Sequence, residues 1–205
     1  MNVIKPYFEI LSPINREVIL SSIELAGRNC YKSENKIKDG SAGEFVRMVI
    51  GRGHESVLEH EKVTVRFVCD RGVSHEIVRH RLASFSQEST RYCNYGKNGE
   101  ITFIQPCWFD QASEESKKDW EESMAFAEQK YLKLLGEGWT PQWARSVLPN
   151  SLKTDIIVTS NMREWRTIFK LRCSNVAHPQ MRELMIPLFE EFKRELPELF
   201  EDIKF

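Results

Sequence analysis

The chain has 205 residues, of which 41% are hydrophobic and 29% charged, and its formal net charge is −1. That length supplies one domain with a real core, or at most two small ones, and that composition is ordinary for a soluble globular protein. The near-zero charge leaves no overall basic field to draw a nucleic-acid polymer, so any anion selectivity must be local.

Val3 to Leu11 leans toward an edge strand, with Pro6 barring a central position. Ser12-Pro13 is expected to open a helix, whose apolar residues Ile14, Val18, Ile19, Ile23 and Ala26 keep helical spacing up to Gly27. Residues 33 to 43 read as a loop. A helix from about Ala42 to Arg52 stops at Gly53. Val63 to Cys69 alternates and is rich in β-branched residues, so a strand is expected, followed by a turn at Asp70-Arg71-Gly72. A helix from Val73 to Leu82 then places Glu76, Arg79 and His80 three and four apart, as a polar cluster on one side. Ser84 to Ser89 reads as a polar binding loop, because its side chains compete for backbone hydrogen bonds.

Ile101 to Ile104 is a short strand. Ser113 to Leu135 is the longest helix, and its Trp120, Met124, Ala127, Tyr131 and Leu134 make an apolar stripe for the core or a subunit contact. Thr140-Pro141 starts a helix that runs to Leu148 and is stopped by Pro149. Leu152 to Ser160 is a strand, Asn161 to Leu171 a helix, and Pro179 to Leu196 the last helix, with Pro187 inside it. No repeat or linker is visible, so the expectation is a single α+β domain over 1–205 with a small central β-sheet surrounded by α-helices.

The five cysteines, Cys30, Cys69, Cys93, Cys107 and Cys173, are scattered and lack a C-x-x-C pair, which fits a reduced, cytoplasmic setting. No stretch approaches the roughly 18 apolar residues of a membrane span, so neither a targeting peptide nor a membrane partner is expected. His54-Glu55 and His60 do not make a metalloprotease helix, since that motif needs its two imidazoles one turn apart, and no metal is expected. There is no G-x-G-x-x-G and no Walker A loop, which argues against a Rossmann flavoprotein or a P-loop enzyme.

One stretch stands out. Arg79-His80-Arg81 gathers cationic or titratable side chains that cannot all serve a core, and seven residues later come Ser89, Arg91 and Tyr92. Arg-His-Arg, seven residues, then Ser-x-Arg resembles the signature of the flavin-dependent thymidylate synthases. Gly53-His54-Glu55-Ser56-Val57-Leu58-Glu59-His60 is similar to a second segment of that family. Further matches follow in Ala144 to Pro149, Asn161-Met162-Arg163, Leu171-Arg172 and Ala177 to Gln180, all collinear.

The resemblance implies an FAD enzyme, homotetrameric, with active sites at subunit interfaces. It would methylate dUMP to dTMP using methylenetetrahydrofolate, with NADPH restoring the flavin. By position it implies FAD contacts at Ser56, Arg79, His80, Arg81, Gln87, Asn161, Met162, Arg163 and Thr167, where other members often carry Asn or His. His54 reads either as a buried, hydrogen-bonded imidazole or as a contact to flavin or folate; His178 is a further candidate. The dUMP set is Glu76, Ile77, Val78, Arg79, Gln87, Glu88, Ser89, Thr90, Arg91, Arg145 and Arg172. The family assigns activation of the uracil ring to the arginine matching Arg172: a guanidinium against the imide stabilises a deprotonated N3 and pushes electron density toward C5. Cys93 is set aside as nucleophile because the family's pattern requires no cysteine there, and Ser89 is read as a ligand-orienting hydroxyl. A catalytically silent nucleotide-binding relative, or a single-strand-binding module stacking bases on Phe85, Tyr92 and Tyr95, are the alternatives.

Overall fold

The structure, a computed structural model, describes residues 1–98 and 100–205. It contains strands β1 (Asn2–Ile4), β2 (Tyr7–Ile10), β3 (Lys62–Asp70), β4 (Ala83–Gln87), β5 (Thr102–Ile104) and β6 (Lys153–Asn161). The helices are α1 (Arg16–Cys30), α2 (Ser41–Gly51), α3 (Arg71–Ile77), α4 (Glu114–Gly136), α5 (Pro141–Ala144), α6 (Met162–Arg172), α7 (Pro179–Glu195) and α8 (Pro197–Phe200). Strands β2-β3-β6-β4 form a four-stranded sheet in that order, and β1 and β5 pair in parallel as a separate two-stranded sheet. A mixed α and β chain with a small sheet is therefore what the sequence builds.

The chain divides into two compact units: Met1–Tyr7, Phe67–Arg79 and Ser86–Ile157 form the first, and Phe8–Arg66, His80–Phe85 and Val158–Phe205 the second. In the first, Ile101, Phe103, Met124, Tyr131, Ala144 and Leu152 make the core, with Trp120 and Leu134 packed against it. The apolar stripe of α4 thus faces its own unit. In the second, Trp165 stacks on Phe169 with ring centroids 5.6 Å apart, and Phe189, Phe192 and Phe200 surround Phe169 edge-on. Edge-to-face arrangements of this kind suit the aromatic quadrupole. The Trp165 indole N–H also donates to the Val63 carbonyl at 3.1 Å, tying α6 to β3. Gly27 lets α1 and α2 approach closely, because a Cβ there would lie 2.5 Å from the Phe45 ring.

Several boundaries differ from the expectations. The first apolar stretch is two strands in two sheets, divided at Lys5-Pro6. Helix α1 starts at Arg16 under an Asn15 cap, whose side chain accepts from the Val18 amide, while Ser12 accepts from the Thr64 amide at 2.8 Å instead. Helix α3 begins under an Asp70 cap and ends at Ile77, so Glu76, Arg79 and His80 do not share a helical face. The hydroxyl-rich run 83–87 is strand β4, at the edge of its sheet, rather than a loop. Its Ala83, Phe85 and Gln87 are half-buried while Ser84 and Ser86 are exposed, which is the period-two pattern of a strand. The segment after Pro141 is one helical turn followed by a 3₁₀ turn at Arg145–Val147, and α8 follows α7 across Leu196.

Candidate active site

The expected residues fall into two sets. The first unit holds Glu76, Ile77, Val78, Arg79, Gln87, Glu88, Ser89, Thr90, Arg91 and Arg145; the second holds His54, Ser56, His80, Arg81, Asn161, Met162, Arg163, Thr167, Arg172 and His178.

In the first unit, the Gln87 amide nitrogen donates to the Ser74 hydroxyl at 2.8 Å and to the Thr154 hydroxyl at 3.2 Å. Both donors of that amide are thereby committed to the protein, which leaves its carbonyl oxygen as the group to meet a ligand donor. Glu88 accepts from the Lys153 ammonium at 2.8 Å, and Lys153 also pairs with Asp155. Burial alone would lower the Lys153 ammonium's pKa, but hydrogen bonds to Asp155 and Glu88 outweigh it and hold the ammonium above its ordinary value. Lys153 and Asp155 were missed in the sequence; their one signal is the i, i+2 spacing that puts both on one face of β6. Arg145 donates to the buried Thr90 hydroxyl at 3.1 Å, and Arg91 donates through Nε to Gln142 at 3.2 Å, with its guanidinium 5.2 Å from the Tyr92 ring centroid. The Ser89 hydroxyl accepts from the Arg91 amide, tightening the turn. Arg79 is exposed, and Ile77 points into the core, so only its backbone could meet a ligand.

In the second unit, Gly53, His54, Glu55, Ser56 and Arg163 line a cleft with Tyr31, Gly27, Cys30, Val49 and Val57, about 340 Å³ in volume. His54 is exposed, with Nδ1 3.3 Å from the Tyr31 hydroxyl, so the buried reading of that imidazole is corrected. Arg163 reaches Glu59 at 2.6 Å and stays half-exposed. Asn161 caps α6, its side-chain oxygen accepting from the Glu164 amide at 2.8 Å. Met162 lies in the core, and the exposed Thr167 donates back to the Arg163 carbonyl. His178 is exposed and caps α7 through Nδ1. Arg166, by contrast, is a buried structural cation: it grips both oxygens of Asp202 at 2.7 Å and also bonds the Leu199 carbonyl.

At the end of α6, Arg172 donates through Nε to Nε2 of His80 at 3.0 Å. His80 is only 6% exposed, and burial together with the neighbouring Arg172 charge lowers its pKa to about 4. The ring is therefore neutral at working pH, as an acceptor for a guanidinium must be. Its Nδ1 lies 3.3 Å from the Glu164 carboxylate, which burial shifts upward against the pull of Arg163. Glu164 was also missed: three residues after Asn161, it reads in sequence as half of a helix-capping pair.

No thiol here is poised as a nucleophile within the buried set. Burial holds Cys69 protonated and pushes the Cys173 thiol up to about 12.

A family profile described as thymidylate synthase complementing protein matches residues 18–198. The flavin-dependent thymidylate synthase of Geobacter sulfurreducens is 33% identical over 189 residues, covering 89% of this chain and 81% of that one. The chain belongs to the flavin-dependent thymidylate synthase family. It is accordingly an enzyme, of the methyltransferase class. Another member, from Pyrococcus furiosus, is 34% identical over 165 residues, covering 80% of this chain and 67% of its own. The fold is similar to that of the UMP/dUMP methylase PolB from Streptomyces cacaoi, solved with 5-Br dUMP, at a TM-score of 0.83 and 21% identity over 98% of this chain and 96% of that one.

The family implies a flavin, and the cleft in the second unit fits part of one. Its Arg163 guanidinium suits a phosphate, and Tyr31 and His54 offer flat faces. Its volume sits at the low end of the roughly 300–1,000 Å³ of small-molecule pockets, which leaves room for a fragment of a flavin cofactor rather than a whole dinucleotide.

Proposed function

We propose that this chain methylates dUMP to dTMP, with methylenetetrahydrofolate as carbon donor and NADPH-reduced FAD as hydride source, and without a cysteine nucleophile. The observation that carries the reading is the arrangement of the Arg79–Arg91 stretch: Arg79, Arg81 and Arg91 are exposed while His80 among them is buried. Fixed guanidinium charge facing outward on a chain of net charge −1 matches phosphorylated ligands, which guanidinium forks bind bidentately. The names of the relatives from Geobacter sulfurreducens and Pyrococcus furiosus support flavin dependence, and the analogue held by PolB supports dUMP as substrate.

When bound, FAD supplies the hydride that completes the new methyl group. His54, Ser56, Arg79, His80, Arg81, Gln87, Asn161, Met162, Arg163 and Thr167 hold it, Met162 through its backbone. Glu76, Arg79, Gln87, Glu88, Ser89, Thr90, Arg91, Arg145 and Arg172 bind dUMP, joined by the backbone of Ile77 and Val78. Arg172 stabilises negative charge on the uracil imide and so raises the nucleophilicity of C5. A preoriented pyrimidine lowers the entropic part of the barrier. The small cleft supports an assembly in which copies of the chain complete each site; the family resemblance makes that assembly a homotetramer and residues 1–205 a single catalytic domain.

The test is an absorbance spectrum of the purified protein with and without dUMP, followed by a dTMP assay with methylenetetrahydrofolate and NADPH. A flavin band that responds to dUMP and turnover to dTMP are expected. Flavin and dUMP binding without turnover would identify a silent relative, and a colourless protein that binds single strands would identify the stacking module; either overturns the proposal.

A further inference from the structure

Arg172 can only donate hydrogen bonds, so the 3.0 Å contact from its Nε requires a lone pair on His80 Nε2. A neutral imidazole with a lone pair on Nε2 carries its proton on Nδ1. The Nδ1 atom lies 3.3 Å from a Glu164 carboxylate oxygen, close enough for that negative charge to favour a proton on Nδ1. Glu164 and His80 are both largely buried, and both sit on the second unit, Glu164 in the first turn of the helix that ends in Arg172. A helix of that length holds its two ends at a fixed separation, so Glu164 and Arg172 approach the two ring nitrogens of His80 from fixed backbone positions.

We infer that Glu164 is a positioning residue for Arg172: it favours the Nδ1–H tautomer of His80, whose Nε2 lone pair then fixes the guanidinium at Nε. This rests on the reading of Arg172 as the arginine that faces the uracil. Glu164 touches no reacting atom; it acts through two side chains. Second-layer groups that set an imidazole's tautomer commonly matter this way, because the first-layer geometry depends on them.

The test pairs ¹⁵N NMR of the His80 ring with steady-state dTMP formation, on the flavin-loaded wild type and on Glu164→Gln and Glu164→Ala. The wild-type ring is expected to be neutral and protonated on Nδ1. Glu164→Gln retains an acceptor and keeps that tautomer, with kcat within about threefold of wild type. Glu164→Ala loses the tautomer, and kcat falls at least about tenfold while the KM for dUMP changes less, since Arg172 acts on charge that develops during reaction. An unchanged tautomer in Glu164→Ala overturns the inference, whether or not kcat falls, and so does an altered tautomer with wild-type kcat. Should Glu164→Ala not fold, a Glu164→Gln ring protonated on Nε2 overturns it equally. A wild type that forms no dTMP yet has the Nδ1–H ring, lost in Glu164→Ala, refutes the proposed activity and leaves the positioning role standing.

Discussion

At position 80 the useful property of histidine is that it stays uncharged. Its folded pKa, about 4, lies below the unfolded value of about 6.5, so between those pH values the unfolded chain binds a proton that the folded chain refuses. Stability therefore falls as pH drops from about 6.5 toward about 4, with Arg172 and Glu164 as the charged neighbours of the ring. Urea unfolding at pH 7 and pH 5 should show a larger loss for wild type than for His80→Gln; equal losses would contradict a buried neutral ring. Cys93 gives a second residue-scale expectation. Cys93→Ala should retain turnover within about threefold, because the proposed mechanism activates the carbon by charge rather than by thiolate addition; loss of dTMP formation in a folded Cys93→Ala would contradict this. The arginines of the site were legible in the sequence, because fixed charges in a motif advertise themselves. Glu164 and Lys153 were not, since each takes its meaning from a partner remote in the chain, Glu164 from His80 and Lys153 from Glu88, and Asp155 enters only through Lys153.

Helix α6 carries structural groups and the proposed catalytic arginine on one element. Its start is capped by Asn161, its middle buries Trp165, Arg166 and Phe169, and its end presents Arg172. Asn161→Ala should cost about 1 kcal/mol by removing the cap, and should also loosen flavin retention. Chemical denaturation and flavin titration would check the two effects separately. Arg166→Met should cost about 3 kcal/mol, because it strands the Leu199 carbonyl and the Asp202 carboxylate. A wild-type unfolding midpoint for that variant would contradict a structural role. Helices with strong apolar periodicity, such as α4 and α7, were legible within a residue or two. Strand β4 was hidden because its inward positions include Ala83 and Gln87, so the alternation carries little hydrophobic contrast. Helix α3 was overextended because nothing in Val78 to Leu82 breaks a helix; the buried His80 ends that run by tertiary preference, with the Ala83 amide bonding the His80 carbonyl in a turn.

For the molecule as a whole, the family match runs from residue 18 to 198 and so enters segments of both compact units. The expected dUMP set lies mostly in the first unit and the expected flavin set mostly in the second, with Arg172 the main exception. Sedimentation should find a tetramer, and dissociating conditions should release flavin in step with loss of the tetramer; a monomer that retains flavin and turnover would contradict shared sites. The central claim, that a guanidinium rather than a thiolate activates the pyrimidine, is tested most directly by the dTMP formation rate of Arg172→Ala in its flavin-loaded form. A rate lower by about 10²–10³-fold with the flavin band intact is the predicted result; a rate equal to wild type would contradict it.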